Sequence, residues 1–127
     1  MIIGIGTDIV EIARIRDSYD RLGDRFAKRI LTDSEFERLK SFESDAIASA
    51  FLAKRFAAKE AAVKALGTGI GRGVSFQHFN VKNLESGQPI LEVNDEICAR
   101  FDQAITWHLS LTDEREYAQA FVILEAT

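Results

Sequence analysis

The strongest local signal in this chain is an unbroken helical segment, Asp45–Leu66. It is rich in Ala, Leu, Lys and Glu and contains neither Pro nor Gly, and Gly67 follows it in the position of a left-handed C-cap. At about 100° per residue, one half of this helix consists of alanines. The alanines are Ala57, Ala58, Ala61, Ala62 and Ala65. A face of alanines lets another backbone approach closely, so the segment predicts a helix packed tightly against a neighbouring element.

Strands and shorter helices are mixed along the rest of the chain. No strict βαβ alternation is visible, so the expected fold class is α+β, with mixed strands packed on one long helix plus shorter helices. At roughly 100–200 residues per domain, we expect one domain, 1–127. Strands are predicted over Ile2–Ile12, Phe76–Leu84, Pro89–Val93, Trp107–Thr112 and Tyr117–Leu124. Further helices are predicted after Arg14 (one or two short ones), from the capping segment that begins at Thr32, and from Asn94 to Ile105.

The charge of the chain is unevenly distributed. Lys and Arg number 16 against 20 Asp and Glu, for a net charge of −4, which argues mildly against nucleic acid as the main partner. Two segments nevertheless have a basic surplus. The first, 14–29, has six basic and three acidic residues, and the second, 54–64, has four basic residues and one acidic residue. This pattern indicates anionic ligands that are bound at defined places.

Two classes of protein are disfavoured by simple counts. A single cysteine, Cys98, excludes a disulfide framework and a cysteine-rich zinc site, and it fits a reducing compartment. Asp8 and Glu11 interrupt the apolar N-terminus before a signal-peptide core can form, and no apolar run approaches the ~20 residues of a membrane span. We therefore expect a soluble, cytoplasmic protein.

Asp8 is a carboxylate inside an otherwise apolar strand. An unpaired charge there would be costly, so Asp8 needs either a cation or strong hydrogen-bond donors. The alternative is an aspartate at a strand end that bonds to nearby N–H groups. Glu11, three residues on, points to the opposite face of the strand and is a poor second ligand.

Three further polar residues have more than one interpretation. Glu60 and Lys64 have the i, i+4 spacing of an ordinary surface ion pair. Alternatively, together with the other cations of 54–64, they form a phosphate site. His108 lies on the polar side of an alternating strand, where it either binds an anion, shuttles a proton or is structural.

Three segments, in this order, resemble the holo-(acyl-carrier-protein) synthases of the 4′-phosphopantetheinyl transferase family. They are Gly4–Ile12 (GIGTDIVEI), Arg55–Gly69 (RFAAKEAAVKALGTG) and His108–Thr112 (HLSLT). The resemblance implies the fold of that family and an Mg²⁺-dependent transfer of 4′-phosphopantetheine from coenzyme A to a serine of apo acyl carrier protein. It also implies release of adenosine 3′,5′-bisphosphate and a homotrimer with active sites between subunits.

By motif position, the resemblance also implies roles for individual residues. Asp8 and Glu60 match the Mg²⁺ ligands, and Glu60 and Lys64 match the catalytic groups. The positions that match coenzyme A contacts are Arg55, Phe56, Lys59, Lys64, Gly67 and His108. Arg14 matches a basic position that meets the acidic acyl carrier protein. Independently of the resemblance, Arg21 and Arg25 are four residues apart, so they would share a face if this segment is helical and are expected to extend the same contact. Asp113 and Gln88 stand where many family members have His and Lys, so their roles are left open.

Two other functions are considered alongside this transferase. One is another Mg²⁺-dependent phosphate-ester enzyme, such as a hydrolase that acts on coenzyme A. The other is a non-catalytic module that binds an acidic partner through basic residues of 14–29.

Overall fold

Five helices and five strands make up the fold, and the computed structural model describes residues 1–127. The strands are β1 (Ile2–Glu11), β2 (Phe79–Asn83), β3 (Pro89–Val93), β4 (Ile105–Asp113) and β5 (Tyr117–Ala126). The helices are α1 (Ile12–Leu22), α2 (Asp24–Ile30), α3 (Asp33–Ser41), α4 (Asp45–Leu66) and α5 (Asp95–Cys98). None of them combines the length and the apolar composition that crossing a bilayer requires.

The strands form two separate antiparallel sheets. The main sheet has the order β1-β5-β4, with Asp8 opposite Ala120 and His108 opposite Ile123. The second sheet is the β2-β3 hairpin, in which Val81 pairs with Leu91. This arrangement of mixed strands and helices confirms the predicted α+β class.

The long helix α4 covers one face of the main sheet. Its predicted bounds are confirmed, and Gly67 caps it in the left-handed conformation, with φ 86° and its N–H bonded to the carbonyl of Val63 at 2.9 Å. Gly4 and Gly6 of β1 lie against the helix backbone, where a β-carbon on either would overlap the carbonyl oxygens of Ala65 and Ala61. The alanine face therefore does allow the close approach that the sequence predicts.

The predicted capping segment at Thr32 begins α3. The Thr32 hydroxyl accepts the N–H of Glu35, and the Glu35 carboxylate accepts the N–H of Thr32, which is a complete capping box. Preceding it, the basic segment 14–29 forms two helices, because Gly23 breaks the helix with φ 67°.

Two expectations about secondary structure are wrong. The helix expected from Asn94 to Ile105 stops at Cys98. Beyond it the backbone bonds span three residues instead of four, with the Arg100 N–H donating to the Ile97 carbonyl at 3.1 Å, so the chain continues as turns. The strand expected from Phe76 begins only at Phe79. Phe76–His78 is a 3₁₀ turn closed by the Ser75 N–H, which donates to Nδ1 of His78 at 3.1 Å.

Candidate active site

A cleft of about 450 Å³ opens where β1, α1 and α4 meet. Its polar lining includes Asp8 from β1, Arg14 from α1 and Glu60 from α4. Phe26 and Phe56 provide apolar walls. Alternate residues of β1 point to the same side of the sheet, and this alternation turns the Asp8 side chain toward α4. The cleft thus brings together two carboxylates that lie far apart in sequence.

Lys64 reaches across the edge of this cleft to β1. Its ammonium donates to Oδ1 of Asp8 at 3.1 Å and to the carbonyl of Thr7 at 2.9 Å. The Asp8 side chain is 16% exposed and that of Lys64 is 53% exposed, so the lysine remains accessible to a ligand from solvent. The sequence spacing by itself predicts an i, i+4 ion pair between Lys64 and Glu60. In the structure Lys64 bonds to Asp8 instead.

Glu60 experiences an unfavourable environment for its charge. Burial raises the pKa of its carboxyl, the negative charge of Asp8 raises it further, and Lys64 partly offsets both effects. Two carboxylates that repel each other, with Lys64 offsetting only part of their charge, favour the binding of a cation in the cleft.

The donor set of the cleft fits Mg²⁺. This ion prefers carboxylate oxygens, and it is commonly held by one or two carboxylates with waters and substrate phosphates completing its shell. The structure contains no group of three or more His, Cys, Asp or Glu side chains that could form a closed metal cage. Asp8 and Glu60 therefore suit a site in which a phosphate substrate supplies further oxygens.

Arg55 lies outside this cleft and lines a second cavity, of about 330 Å³, with Arg38 and Lys54. Its guanidinium packs over the Phe51 ring at 4.2 Å and donates from Nη2 to Oδ1 of Asn83 at 3.0 Å. Burial lowers the pKa of this guanidinium to about 10, so it remains cationic at neutral pH. Asp113 lines the same cavity and pairs with Lys54 at 3.5 Å, so Arg38 and Arg55 are the cations that make this a second candidate anion site.

Lys59 is the most deeply buried of the predicted site residues. Its side chain is 0% exposed, and its ammonium donates to Oε1 of Glu35 at 2.6 Å and to the carbonyl of Ile30 at 2.7 Å. Both bonds lie inside the protein, on the side of α4 that faces α2 and α3. The structure therefore does not bring Lys59 together with Asp8 and Glu60 in the cleft.

His108 is on the face of the main sheet that α4 leaves uncovered. Its side chain is 51% exposed, and Nε2 lies 2.9 Å from Oε1 of Glu125. The predicted alternation of β4 is confirmed, since Trp107 and Leu109 are on the covered side. Asp8 and His108 consequently lie on opposite faces of one sheet within a single chain.

The three predicted carrier-protein contacts occupy two helices. Arg14 lines the cleft from α1, and Arg21 is exposed in the last turn of that helix. Arg25 belongs to α2, beyond the break at Gly23, so the i, i+4 spacing does not place Arg21 and Arg25 on one helical face.

The sequence interpretation missed part of the cleft wall. Ile15, Ser18 and Phe26 also line it, although none was a candidate. A signal for Ser18 was present, because it is four residues after Arg14 and so shares a helical face with it. Nothing local to Phe26 indicates that α2 folds back toward β1.

The chain matches known proteins along nearly its whole length. A family model described as the 4′-phosphopantetheinyl transferase superfamily matches residues 4–122. A Marinomonas sp. protein named holo-[acyl-carrier-protein] synthase is 68% identical over 126 residues, which are 99% of each chain.

Solved structures of two such synthases superpose on nearly the whole chain. The Bacillus anthracis enzyme, described as in complex with CoA (3′,5′-ADP), has a TM-score of 0.84 at 41% identity and covers 100% of this chain and 99% of its own. The Neisseria meningitidis enzyme has a TM-score of 0.88 at 38% identity and covers 98% and 99%. The sequence resemblance is thereby confirmed: this chain belongs to the 4′-phosphopantetheinyl transferase superfamily.

Proposed function

We propose that this protein transfers the 4′-phosphopantetheine group from coenzyme A to a serine of apo acyl carrier protein and releases adenosine 3′,5′-bisphosphate. The observation that carries the proposal is the cleft in which Asp8, Glu60 and Lys64 meet, in a chain of this superfamily. The similarity to a protein named holo-[acyl-carrier-protein] synthase, and to one described with coenzyme A, supports this choice of substrates.

The site would hold the diphosphate of coenzyme A beside Lys64. Asp8 and Glu60 would hold Mg²⁺, which when bound supplies positive charge that neutralises the diphosphate oxygens. Lys64 adds a cation whose ammonium is accessible at the cleft edge. Phe56 provides an apolar wall, and Gly67 ends the helix that presents Glu60 and Lys64.

The chemistry requires no nucleophile from this chain. The serine hydroxyl of the carrier protein attacks the phosphorus that bears the pantetheine group. A serine O–P bond forms, the P–O bond to the adenosine-side phosphate breaks, and adenosine 3′,5′-bisphosphate leaves. Glu60 accepts the serine proton in this proposal, because its carboxylate lines the cleft in which the reacting phosphate would be held.

Arg55 and His108 would bind the adenosine phosphate end of coenzyme A. Arg55 contributes a buried guanidinium whose Nε lacks a hydrogen-bond partner in the protein. His108, however, is on the opposite sheet face from Asp8, so a single chain cannot bring Asp8 and His108 to the same coenzyme A molecule. A second subunit that contributes either Asp8 or His108 resolves this conflict.

We infer a homotrimer with the active site between subunits: the geometry calls for a second subunit, and the family resemblance implies the number three. The uncovered face of the main sheet supports self-association, because it exposes large apolar side chains on the same side as His108. Ile5 is 58% exposed, Ile9 62%, Tyr117 45% and Phe121 43%. Apolar patches of this kind mark contact surfaces in proteins of this size.

Docking of the carrier protein would use the basic residues of α1 and α2. Arg14 lies in the cleft itself, whereas Arg21 and Arg25 extend the positive surface away from it. We place the reaction in the cytoplasm, a reducing compartment that suits the free thiol of Cys98.

One assay tests the proposed function. The purified chain is incubated with apo acyl carrier protein, coenzyme A and Mg²⁺, and the carrier protein is weighed by mass spectrometry. A gain of one phosphopantetheine on the serine is expected. Adenosine 3′,5′-bisphosphate released without that gain would indicate a hydrolase, and the absence of both products would indicate a binding module.

A further inference from the structure

A buried polar cluster behind α4 connects four segments of the chain. The Glu35 carboxylate, in a residue that is 3% exposed, accepts Lys59 Nζ at 2.6 Å and the Thr32 N–H at 2.8 Å through Oε1. Its Oε2 accepts the N–H of Val81 at 2.7 Å. Lys59 also donates to the carbonyl of Ile30 at 2.7 Å. The cluster thus connects the C-terminal end of α2, the start of α3, strand β2 and the middle of α4.

Such a cluster is not explained by stability alone. A buried ion pair loses the hydration of both charges, and replacing it by neutral residues of similar volume is often neutral or stabilising. A fully satisfied buried network does, however, specify one relative placement of the elements that it joins. The effect of this ion pair is therefore on the position of α4 relative to its neighbours.

The position of the cluster on the helix is informative. Lys59, Glu60 and Ala61 are consecutive, so Lys59 and Ala61 point about 200° apart around the helix axis and Glu60 points between them. The Ala61 side is held by backbone contact with Gly6 of β1. The Lys59 side is held by Glu35. Two constraints on opposite sides of α4 therefore limit its rotation about its own axis.

Rotation of α4 would move Glu60 directly. Side chains reach about 5–6 Å from a helix axis, so a rotation of about 10° displaces the Glu60 carboxylate by about 1 Å. Displacements of this size at a reacting centre cost on the order of 10²-fold in rate.

We propose that Glu35 is a positioning residue for the transfer reaction: through Lys59 it limits the rotation of α4 and holds the Glu60 carboxylate beside Asp8. This inference rests on the proposed function and extends it to a residue outside the cleft. Glu35 touches neither substrate, so its effect on the reaction passes entirely through the placement of α4.

The test uses the double variant Glu35→Gln/Lys59→Met. It removes both buried charges together, so neither is left unpaired, and it keeps similar side-chain volumes. We expect a melting temperature close to that of the unmodified protein, a kcat lower by about 10–100-fold, and a nearly unchanged KM for coenzyme A. In a separate readout, Mn²⁺ titrated by electron paramagnetic resonance in the presence of coenzyme A should bind about 10–100-fold more weakly.

A matched control distinguishes positioning from general destabilisation. Leu52→Ala removes a side chain of α4 that is 0% exposed and leaves the cluster intact. It should lower the melting temperature through a cavity, with kcat per folded molecule and Mn²⁺ affinity unchanged. If the double variant does not fold, Glu35→Asp keeps both charges but shortens the carboxylate side chain by one methylene. Assayed at low temperature against the same control, it should show a fall in kcat and in Mn²⁺ affinity in the same direction.

Two results would overturn the proposal. One is a folded double variant, or a folded Glu35→Asp variant, with native kcat and native Mn²⁺ affinity. The other is a fall in activity that only follows the folded fraction, as in Leu52→Ala. Failure of the proposed function is recognised separately, because the unmodified protein would then add no phosphopantetheine to the carrier protein.

Discussion

At the scale of single residues, Glu60 shows a conflict between stability and function. Its pKa is raised in the folded protein, first by burial and then by the charge of Asp8. A carboxyl whose pKa is higher in the folded state favours folding while it is protonated. That contribution is lost as the pH rises from the unfolded value, about 4.3, through the folded pKa. The ionised site therefore destabilises the cation-free protein at neutral pH.

Glu60→Gln should consequently change stability and activity in opposite directions. In EDTA at pH 7 we expect a higher melting temperature than that of the unmodified protein, because the unfavourable carboxylate is gone. The difference should disappear below about pH 4, where both side chains are neutral. Turnover with Mg²⁺ should fall by about 10²-fold or more.

Calorimetry at several pH values and the carrier-protein mass assay measure the two effects. Glu85→Gln is the matched control, because Glu85 is an exposed carboxylate in the β2-β3 turn, away from the cleft and from any helix terminus. It should alter neither property. A lower melting temperature for Glu60→Gln at pH 7 would contradict the electrostatic argument.

At the scale of secondary structure elements, the contact between β1 and α4 depends on matched spacings. Ala61 and Ala65 are one helical turn apart, about 6 Å along the axis, and Gly4 and Gly6 are about 6.6 Å apart along the strand. Each glycine meets the carbonyl oxygen of one alanine. Asp8 is the next residue on the same strand face, so this contact also places a cleft carboxylate.

Gly6→Ala tests this contact. The new β-carbon would overlap the Ala61 carbonyl oxygen, a backbone atom that cannot move aside without moving the helix. We expect a loss of about 1–3 kcal/mol in the free energy of unfolding, measured by urea denaturation, and a lower kcat. Because the overlap involves the backbone, Ala61→Gly should not rescue the variant, and a rescue would show that side chains decide the packing.

At the scale of the whole molecule, the main sheet has two different faces. One is covered by α4, and the other exposes apolar side chains together with His108. The surface charge is also divided, since a chain of net charge −4 carries a basic segment over 14–29. The proposed assembly and the proposed docking of the carrier protein would therefore use separate surfaces and can be tested separately.

Phe121→Asp should disrupt assembly. A charge at the centre of the uncovered sheet face would be desolvated in a subunit interface, so we expect light scattering to report a smaller species and the transfer activity to fall. Leu84→Asp is the matched control, because Leu84 is equally exposed, at 43%, but lies beside the β2-β3 turn. An unmodified chain that is monomeric and fully active would contradict the inferred trimer.

Arg14→Glu should weaken the encounter with the acidic carrier protein. We expect a higher KM for the carrier protein, a nearly unchanged KM for coenzyme A, and a smaller effect at high salt, because charges are screened over about 10 Å at 0.1 M. Arg16→Glu, an exposed position of the same helix outside the cleft lining, should have the weaker effect. Equal salt-dependent effects of the two variants would assign docking to net charge instead of to Arg14.

Much of the fold could be predicted because its signals are local. The alternation of β4, the capping segment at Thr32 and the proline-free segment of α4 each depend on residues within a few positions of one another. The pairing of Asp8 with Glu60 comes from the family resemblance, since spacing alone favours an ordinary surface ion pair between Glu60 and Lys64.

The sequence by itself determined the long helix, its alanine face and the class of the fold, because helical and strand periodicities are properties of neighbouring residues. Only the tertiary structure decided which polar residues of α4 reach the cleft. Arg55, Lys59, Glu60 and Lys64 look alike as one charged surface in the sequence, yet α2 and α3 cover Lys59 and leave Lys64 open. The physical reason is that burial depends on which elements pack against a helix, and that packing is set by contacts between segments distant in sequence.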